Sequence, residues 1–289
     1  MIQNIIERID FKKLIIIPIA MVVISLIIIY TNYTAATVPL SIELKGGTLI
    51  TAYNVPRGHE LENALEDRFN IDFKVGVIRE ISGEEAGRNI ETNIYLAGAQ
   101  KESIRGFLEA WGVAPEDITI RSVGPSISAR FLREAIRAVI FAFIFMAVVV
   151  FLRFKTIVPS LAVVLSAFSD IATTLAVMIL LGIELSPGTF VALLLLIGYS
   201  VDTDILLTTR LLVRRRGTFE ERLYGAMKTG LTMNATTLAA VIVILIASTS
   251  VILKEIAIVI LIGLLVDLIN TWIQNAGIIH WYISRGGRI

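Results

Sequence analysis

Six apolar runs organise the chain. Residues 14–31, 136–152, 156–181, 189–209, 231–250 and 256–283 carry almost no charge. A run of about 18 apolar residues, at about 1.5 Å rise each, covers a hydrocarbon core about 30 Å thick. Each run is therefore expected to be a membrane-spanning helix. The 136–152 run is the shortest, but Arg133 and Arg137 at its start have stems long enough to snorkel to the interface. The first run exceeds the roughly 7–15 apolar residues of a cleaved signal peptide, so it reads as a retained anchor with Tyr30 and Tyr33 at the interface. The sequon Asn32-Tyr33-Thr34 lies too close to the membrane to count as more than chance.

Between the first two runs the pattern changes from continuous to periodic. Ser41 to Leu44 and Thr48 to Tyr53 read as one strand interrupted by Gly46-Gly47, where a bulge or a close backbone approach is expected. Residues 57–69 read as a helix with Leu61, Leu65 and Phe69 at spacings of four. Two strand-like runs follow, 73–81 and 90–96, joined by a turn at Ser82-Gly83. Residues 101–111 read as a second helix, with Ile104, Phe107, Leu108 and Trp111 on one face, and 118–123 as a last strand. The order β-α-β-β-α-β is the split βαβ, ferredoxin-like plan. The expected fold class is thus a polytopic α-helical membrane protein of six spans carrying one α+β ferredoxin-like domain. Its expected parts are 1–33 (N-terminus and first span), 34–129 (the soluble domain) and 130–289 (five further spans). The domain's lone His59 has no nucleophile or base beside it, so the domain reads as a binding module.

Composition agrees with this division. The chain is 55% hydrophobic and only 18% charged, with a mean hydropathy of +0.78 and a net charge of +1. There is no basic excess to neutralise phosphates, so nucleic acid is not an expected partner. Absence of cysteine and the presence of only two histidines exclude disulfide frameworks and Cys/His metal centres. No Gly-rich phosphate loop is present. No metal, no cofactor and no nucleotide hydrolysis are expected.

The charge is also sorted by side. One set of alternate loops holds thirteen basic residues, among them Lys12, Lys13, Arg153, Lys155, Arg210, Arg214, Arg215 and Arg216, whereas the opposite short loops hold Lys254 and the arginines beside the second span. Basic residues concentrate in cytoplasmic loops, so both termini are expected in the cytoplasm and 34–129 outside the cell membrane. Residues 34–125 contain nine basic and fourteen acidic residues. The small net charge is a cancellation between a basic inner face and an acidic outer domain.

Four aspartates remain inside the apolar runs: Asp170 in the third, Asp202 and Asp204 in the fourth, and Asp267 in the sixth. Each costs about 2.5–3.5 kcal/mol at a helix centre, which several leucines are needed to offset. Helical spacing places Asp170 with Thr173 and Thr174, Asp204 with Ser200 and Thr208, and Asp267 with Asn270, Thr271 and Gln274. Thr229, Thr232 and Thr236 form a similar line in the fifth run, beside Asn234 and Thr237. Asp202 and Asp204 point to nearly opposite sides of one helix, and Asp204 lies nearer the cytoplasmic end, within reach of water. Two chemistries compete with simple helix gluing. A carboxylate alternately protonated from each side makes a proton or ion relay. Two facing carboxylates that share a proton make an aspartyl protease, but the Gly-x-Gly-Asp context of such enzymes is missing at Gly198-Tyr199-Ser200-Val201-Asp202.

The layout of one span, one outer domain and five more spans, together with several local motifs, resembles the SecF family, the smaller half of the SecDF protein-export complex in the RND superfamily. Ile42-Glu43-Leu44-Lys45-Gly46-Gly47-Thr48 is similar to that family's D-F-x-G-G-T signature, and Val123-Gly124-Pro125-Ser126 to its V-G-P-x run. Asp170 falls on the Asp of the third span's H-D pair, with Ser169 in place of His. Gly198-Tyr199-Ser200-Val201 matches the opening of the fourth-span motif, and Arg210 its closing Arg. Where bacterial-type members continue N-D-T, Thr203 occupies the motif Asp, flanked by Asp202 and Asp204. Thr229, with Lys228 adjacent, stands where a basic residue is expected at the start of the fifth span, and Asp267 is extra. The altered motif looks like the archaeal branch.

The resemblance implies a SecD-like partner, a SecYE-type translocation channel, a translocating unfolded polypeptide, contact with membrane lipid, and no enzymatic activity. Relay candidates are Asp202 first, by its fit to the sister SecD motif, then Asp170, Asp267 and Asp204, with Asn234, Asn270 and Thr203 in support. Any cation that pairs with these acids is expected from the partner. The alternative function is a stand-alone RND-type ion-coupled small-molecule transporter.

Overall fold

The computed structural model describes residues 11–56, 58, 60–79, 85–213, 217–248 and 250–287. Arg8, Arg57, His59, the turn at Ser82-Gly83, Arg214, Arg215, Arg216 and Arg288 lie outside the described residues. The chain divides into two compact units, 1–39 with 136–289, and 40–135.

After a short helical turn α1 (Phe11–Leu14), α2 (Ile16–Thr34) is an apolar rod with most of its side chains exposed. The second unit then begins with a turn of helix, α3 (Ile42–Lys45), where an extended strand was expected. Gly46, at φ +81°, ends this turn, and Gly47, at φ +121°, starts β1 (Gly47–Tyr53). The two glycines thus convert helix to strand instead of interrupting one strand. A Cβ on Gly47 would overlap the carbonyl oxygen of Thr92, and one on Gly46 would meet Ser128 Oγ at 3.1 Å and Pro125 Cα at 3.5 Å. The segments 42–48 and 123–126 singled out in the sequence therefore lie against each other.

Helix α4 (Leu61–Phe69), β2 (Lys74–Arg79), β3 (Glu85–Thr92), α5 (Gly98–Ala110) and β4 (Ile118–Val123) complete the unit. The sheet order is β2-β3-β1-β4 with every neighbouring pair antiparallel, so the expected β-α-β-β-α-β plan is present. Ile50, Ile90 and Ile118 from the sheet meet Leu61 and Leu65 of α4 and Ile104 and Leu108 of α5 in a closed core. Phe69, Phe107 and Trp111 extend it as an aromatic row with ring centroids 5.7 and 5.6 Å apart.

The third strand begins at Glu85, five residues before the expected start, because arginine occupies a core-facing register position. Arg88 pairs in register with Ala52 and is buried, with Nη2 donating to Glu85 at 2.9 Å. Residues 93–96 leave the sheet instead of ending it. They are pinned by the buried Thr48, whose Oγ1 donates to Ile94 O (2.9 Å) and accepts from Leu96 N (3.1 Å).

The remaining helices are α6 (Pro125–Phe154), α7 (Ile157–Leu181), α8 (Pro187–Thr208), α9 (Phe219–Ala247), α10 (Val251–Ile269) and α11 (Ala276–Ser284). Gly182, at φ +68°, ends α7. A reciprocal pair, Ser186 with Thr189, caps α8 behind Pro187, and Thr218 with Glu221 does the same for α9. Two wide i→i+5 turns interrupt the rods. Residues Thr209–Val213 continue α8, and Asn270–Asn275 join α10 to α11. Among the described residues, five helices (α2, α6, α7, α9, and α8 with its wide turn) are long and apolar enough to cross a membrane by length and composition. Helix α10 stands apart from these because Lys254, Glu255 and Asp267 fall within its nineteen residues.

Helices α7, α8 and α10 pack on one another at the centre, with α2 against α7 and α9 against α10. Ser25 Oγ of α2 meets Thr173 Oγ1 of α7 at 3.3 Å. Gly263 of α10 permits a close approach to α8, since the space of its missing Cβ is filled by the Leu196 side chain.

Candidate functional site

At the centre of the bundle three of the four aspartates converge, one from each central helix. Asp170 (α7), Asp204 (α8) and Asp267 (α10) are 0%, 0% and 1% exposed. They are held by hydroxyls and carboxamides. Ser200 Oγ donates to Asp170 Oδ2 at 2.5 Å, and Asn270 Nδ2 to Asp170 Oδ1 at 2.8 Å. Asn275 Nδ2 donates to Asp204 Oδ1 at 2.7 Å. Thr271 Oγ1 lies 3.1 Å from Asp204 Oδ1 and 3.0 Å from Asp267 Oδ1, so its single O–H can be donated to either carboxyl. Asn234 Nδ2, from α9, reaches Asp267 Oδ2 at 3.4 Å. Gln274 Nε2 donates to Ser169 Oγ at 3.0 Å beside Asp170. Among the described residues, no Lys or Arg forms an ion pair with any of these acids.

The wide turn Asn270–Asn275 builds half of this site. An ordinary helix rotates away from its own polar stripe, whereas a turn closed i→i+5 advances more slowly and keeps more residues on one side. Asn270, Thr271, Gln274 and Asn275 are all buried as a result. The expected stripe of Asp267, Asn270, Thr271 and Gln274 is present, and Asn275, four residues after Thr271 and eight after Asp267, continues it. Its signal in the sequence is that spacing, a fifth polar residue on the same helical face.

Other expected residues occupy different places. Asp202 is exposed on the far side of α8, away from the cluster. Asp204, expected near water, is instead enclosed, because α7 and α10 both pack on its side of α8. Two residues along a helix are about 200° apart, so the two acids are divided between faces. Gly198 and Tyr199 share the exposed side with Asp202, while Ser200 is turned inward onto Asp170. Thr203 is buried, and its hydroxyl returns to Tyr199 O at 3.3 Å. Arg210, in the wide turn after α8, places Nη2 3.5 Å from Thr229 Oγ1, so a cation does approach the start of the fifth apolar run, supplied from the end of the preceding helix. The line of threonines on α9 divides: Asn234 faces inward, while Thr232 and Thr236 are exposed and bond back to Lys228 O and Met233 O of their own helix.

Such an arrangement can hold and pass protons or small cations, since buried carboxyls without a cationic partner bind a positive charge or a proton in its stead. Among the described residues, no group of three His, Cys, Asp or Glu is spaced to hold a metal ion.

Residues 104–285 match the family described as protein export membrane protein SecD/SecF, C-terminal. The chain is 42% identical over 282 residues to the protein-export membrane protein SecF of Pyrococcus furiosus, covering 96% of this chain and 92% of the relative. It is 40% identical to the SecF of Methanocaldococcus jannaschii, covering 96% and 97%. The crystal structure of SecDF from Thermus thermophilus, a translocon-associated membrane protein, superposes with a TM-score of 0.78 at 19% identity. That superposition covers 96% of this chain but only 39% of the longer SecDF chain, and it establishes the shared fold. Identity near 40% sustained over nearly the full length of the archaeal relatives settles the affiliation: the chain belongs to the SecF family of protein-export membrane proteins.

Proposed function

We propose that this chain is the SecF-type subunit of a SecDF complex that assists protein translocation across the cell membrane at the expense of a proton or ion gradient. Its partners are a SecD-like subunit, a SecYE-type channel and the unfolded polypeptide in transit. It performs no covalent chemistry. The membrane unit spans six times, the sixth crossing being the continuous run through α10, Asn270–Asn275 and α11. The termini lie in the cytoplasm, and the domain near 34–129 lies outside.

The observation that carries this reading is the convergence of Asp170, Asp204 and Asp267 on three packed helices without a cation. Each acid is costly in a membrane, and structural gluing requires one polar group per helix pair rather than three carboxyls. Asp202 has a separate place in the proposal. It shares an exposed face with Gly198 and Tyr199, where the absence of a Cβ at Gly198 leaves room for another helix. A SecD-like helix that brings a donor or a basic side chain to Asp202 relieves the cost of leaving the acid against lipid.

Reconstitution with the SecD-like partner and the channel in vesicles tests the reading. Export is expected to rise when a gradient is imposed and to need both subunits. Uptake of small molecules by this chain alone, with no effect on export, would instead identify a stand-alone transporter. For the outward acid, Asp202→Asn is expected to weaken co-purification with the SecD-like subunit several-fold while the isolated chain melts unchanged, and undiminished co-purification removes Asp202 from the interface.

A further inference from the structure

A guanidinium stands half-buried where the chain supplies it with no anion. Arg210 lies in the wide turn that continues α8 and leans against α9. Its Nη2 has one neutral acceptor, Thr229 Oγ1, at the long distance of 3.5 Å. That hydroxyl donates its own proton to Gly225 O at 3.2 Å, so it offers the arginine lone pairs and no charge. A Cβ on Gly225 would come no closer than 3.8 Å to Arg210 Nη1, so the glycine leaves an open notch beside the fork. Among the described residues no acid pairs with Arg210, and the nearby Glu221 carboxylate is turned back to accept from Thr218 N at 3.1 Å. An arginine does not shed its charge. A half-buried one that lacks an anion forgoes both full hydration and pairing.

Two more cations border the notch. Arg222, Gly225 and Thr229 follow at offsets of three and four and share one face of α9. Arg222 is fixed beside Arg210, since its Nη1 donates to Leu211 O at 2.6 Å and its Nε to Thr218 O at 3.3 Å. Lys228 is exposed one residue before Thr229. The level of the notch follows from the apolar runs: one ends at Thr209 and the next begins at Leu231, so Arg210 and Thr229 stand at the ends of two spans, where the phosphate layer of a bilayer lies. One turn past Thr229 on the same face, Met233 is exposed, and the surface there is apolar.

We propose that the notch between the end of α8 and the start of α9 binds the phosphate of an anionic phospholipid. Arg210 is the principal ligand, Arg222 and Lys228 add positive charge, and an acyl chain lies along Met233. The planar fork of an arginine matches two oxygens of one phosphate, and basic pockets between spans on the positively charged side of a membrane protein take acidic headgroups. The apolar continuation at Met233 selects a lipid, because a free phosphate ion has no use for it. The inference rests on the reading of α8 and α9 as membrane spans and needs neither a partner nor a gradient.

Native mass spectrometry of the purified full-length chain, released from detergent containing graded amounts of phosphatidylglycerol, tests the site. Wild type is expected to retain phosphatidylglycerol at least about ten-fold better than a diacylglycerol with the same chains, which lacks the phosphate. Arg210→Gln is expected to lower that retention about ten-fold, and Arg210→Lys to lower it less, because an ammonium keeps the charge but not the fork. Gly225→Leu fills the notch while leaving every cation in place, is expected to lose the lipid as Arg210→Gln does, and carries the test if Arg210→Gln does not fold. Undiminished retention in either folded variant overturns the proposal. So does displacement of the lipid by inorganic phosphate at equal concentration, which identifies a free-anion site. Retention that disappears when the SecD-like subunit is bound also overturns it, by identifying a side chain of the partner as the anion. Lipid retention is measured on the isolated chain, so it holds or fails independently of gradient-driven export.

Discussion

Gly47→Ala is expected to lower the melting temperature of the α+β unit by roughly 12 °C or more. Glycine at φ +121° occupies a region that L side chains rarely adopt, and the new Cβ would also overlap the Thr92 carbonyl oxygen and stand 3.1 Å from Asn93 Cα. Both obstacles are backbone atoms of the neighbouring strand end, so no rotamer change relieves them. Strain of this kind costs about 1–3 kcal/mol and overpacking about 1–3 kcal/mol more, and about 3 kcal/mol corresponds to roughly 12–24 °C in a domain of this size. Gly46→Ala is the graded comparison. Its φ is also positive, at +81°, but the nearest atom to its Cβ is the Ser128 hydroxyl, which can move. Limited proteolysis of the full chain during a thermal ramp measures both. Equal resistance in Gly47→Ala and wild type would show that the strand end yields more readily than its packing indicates.

Asp170→Asn is expected to abolish the gradient-dependent part of export while leaving the fold in place. The replacement preserves shape, so Ser200 and Asn270 keep a neighbour for most of their hydrogen bonds, but no carboxyl remains on α7 to bind or release a proton. Asp170→Leu separates chemistry from packing. It leaves the Ser200 hydroxyl and the Asn270 amide buried and unpaired, at about 1–3 kcal/mol each, and is expected to lower thermal stability as well as export. Export without an imposed gradient, compared with export in its presence, distinguishes the two. If Asp170→Asn keeps the full gradient-dependent increment, α7 contributes hydrogen bonds only.

Much of this architecture is legible in sequence, and the misreadings have physical causes. Long apolar runs and the four-residue spacing of Leu61, Leu65 and Phe69 are strong signals, because burial of one stripe or of a whole rod leaves few alternatives. The start of β3 was hidden by Arg88, a charged residue at a core register position that pairs with Glu85 and packs along the sheet. The helical turn at Ile42–Lys45 was hidden by the ambiguity of four residues, too few to distinguish a period of two from one of 3.6. The polar stripe on the last rod, Asn275 included, lies at ordinary helical spacing, whereas the wide turn that carries it is announced by no periodic pattern. Helical geometry states that Asp202 and Asp204 face apart. Which of them turns inward is set by where α7 and α10 pack, and that information is tertiary. Motif correspondence pointed to Asp202, whereas packing leaves Asp202 exposed and encloses Asp204.

Ion movement into sealed vesicles during translocation measures the central claim most directly. With the reconstituted complex, a gradient and a passenger polypeptide, a trapped pH indicator and a sodium indicator are expected to report passenger-stimulated entry of one ion. That stimulated entry is expected to vanish when Asp170, Asp204 and Asp267 are all replaced by asparagine, with the complex still assembled. Passenger-stimulated flux of undiminished size in the triple variant would contradict the assignment of these three carboxyls as the ion-carrying centre.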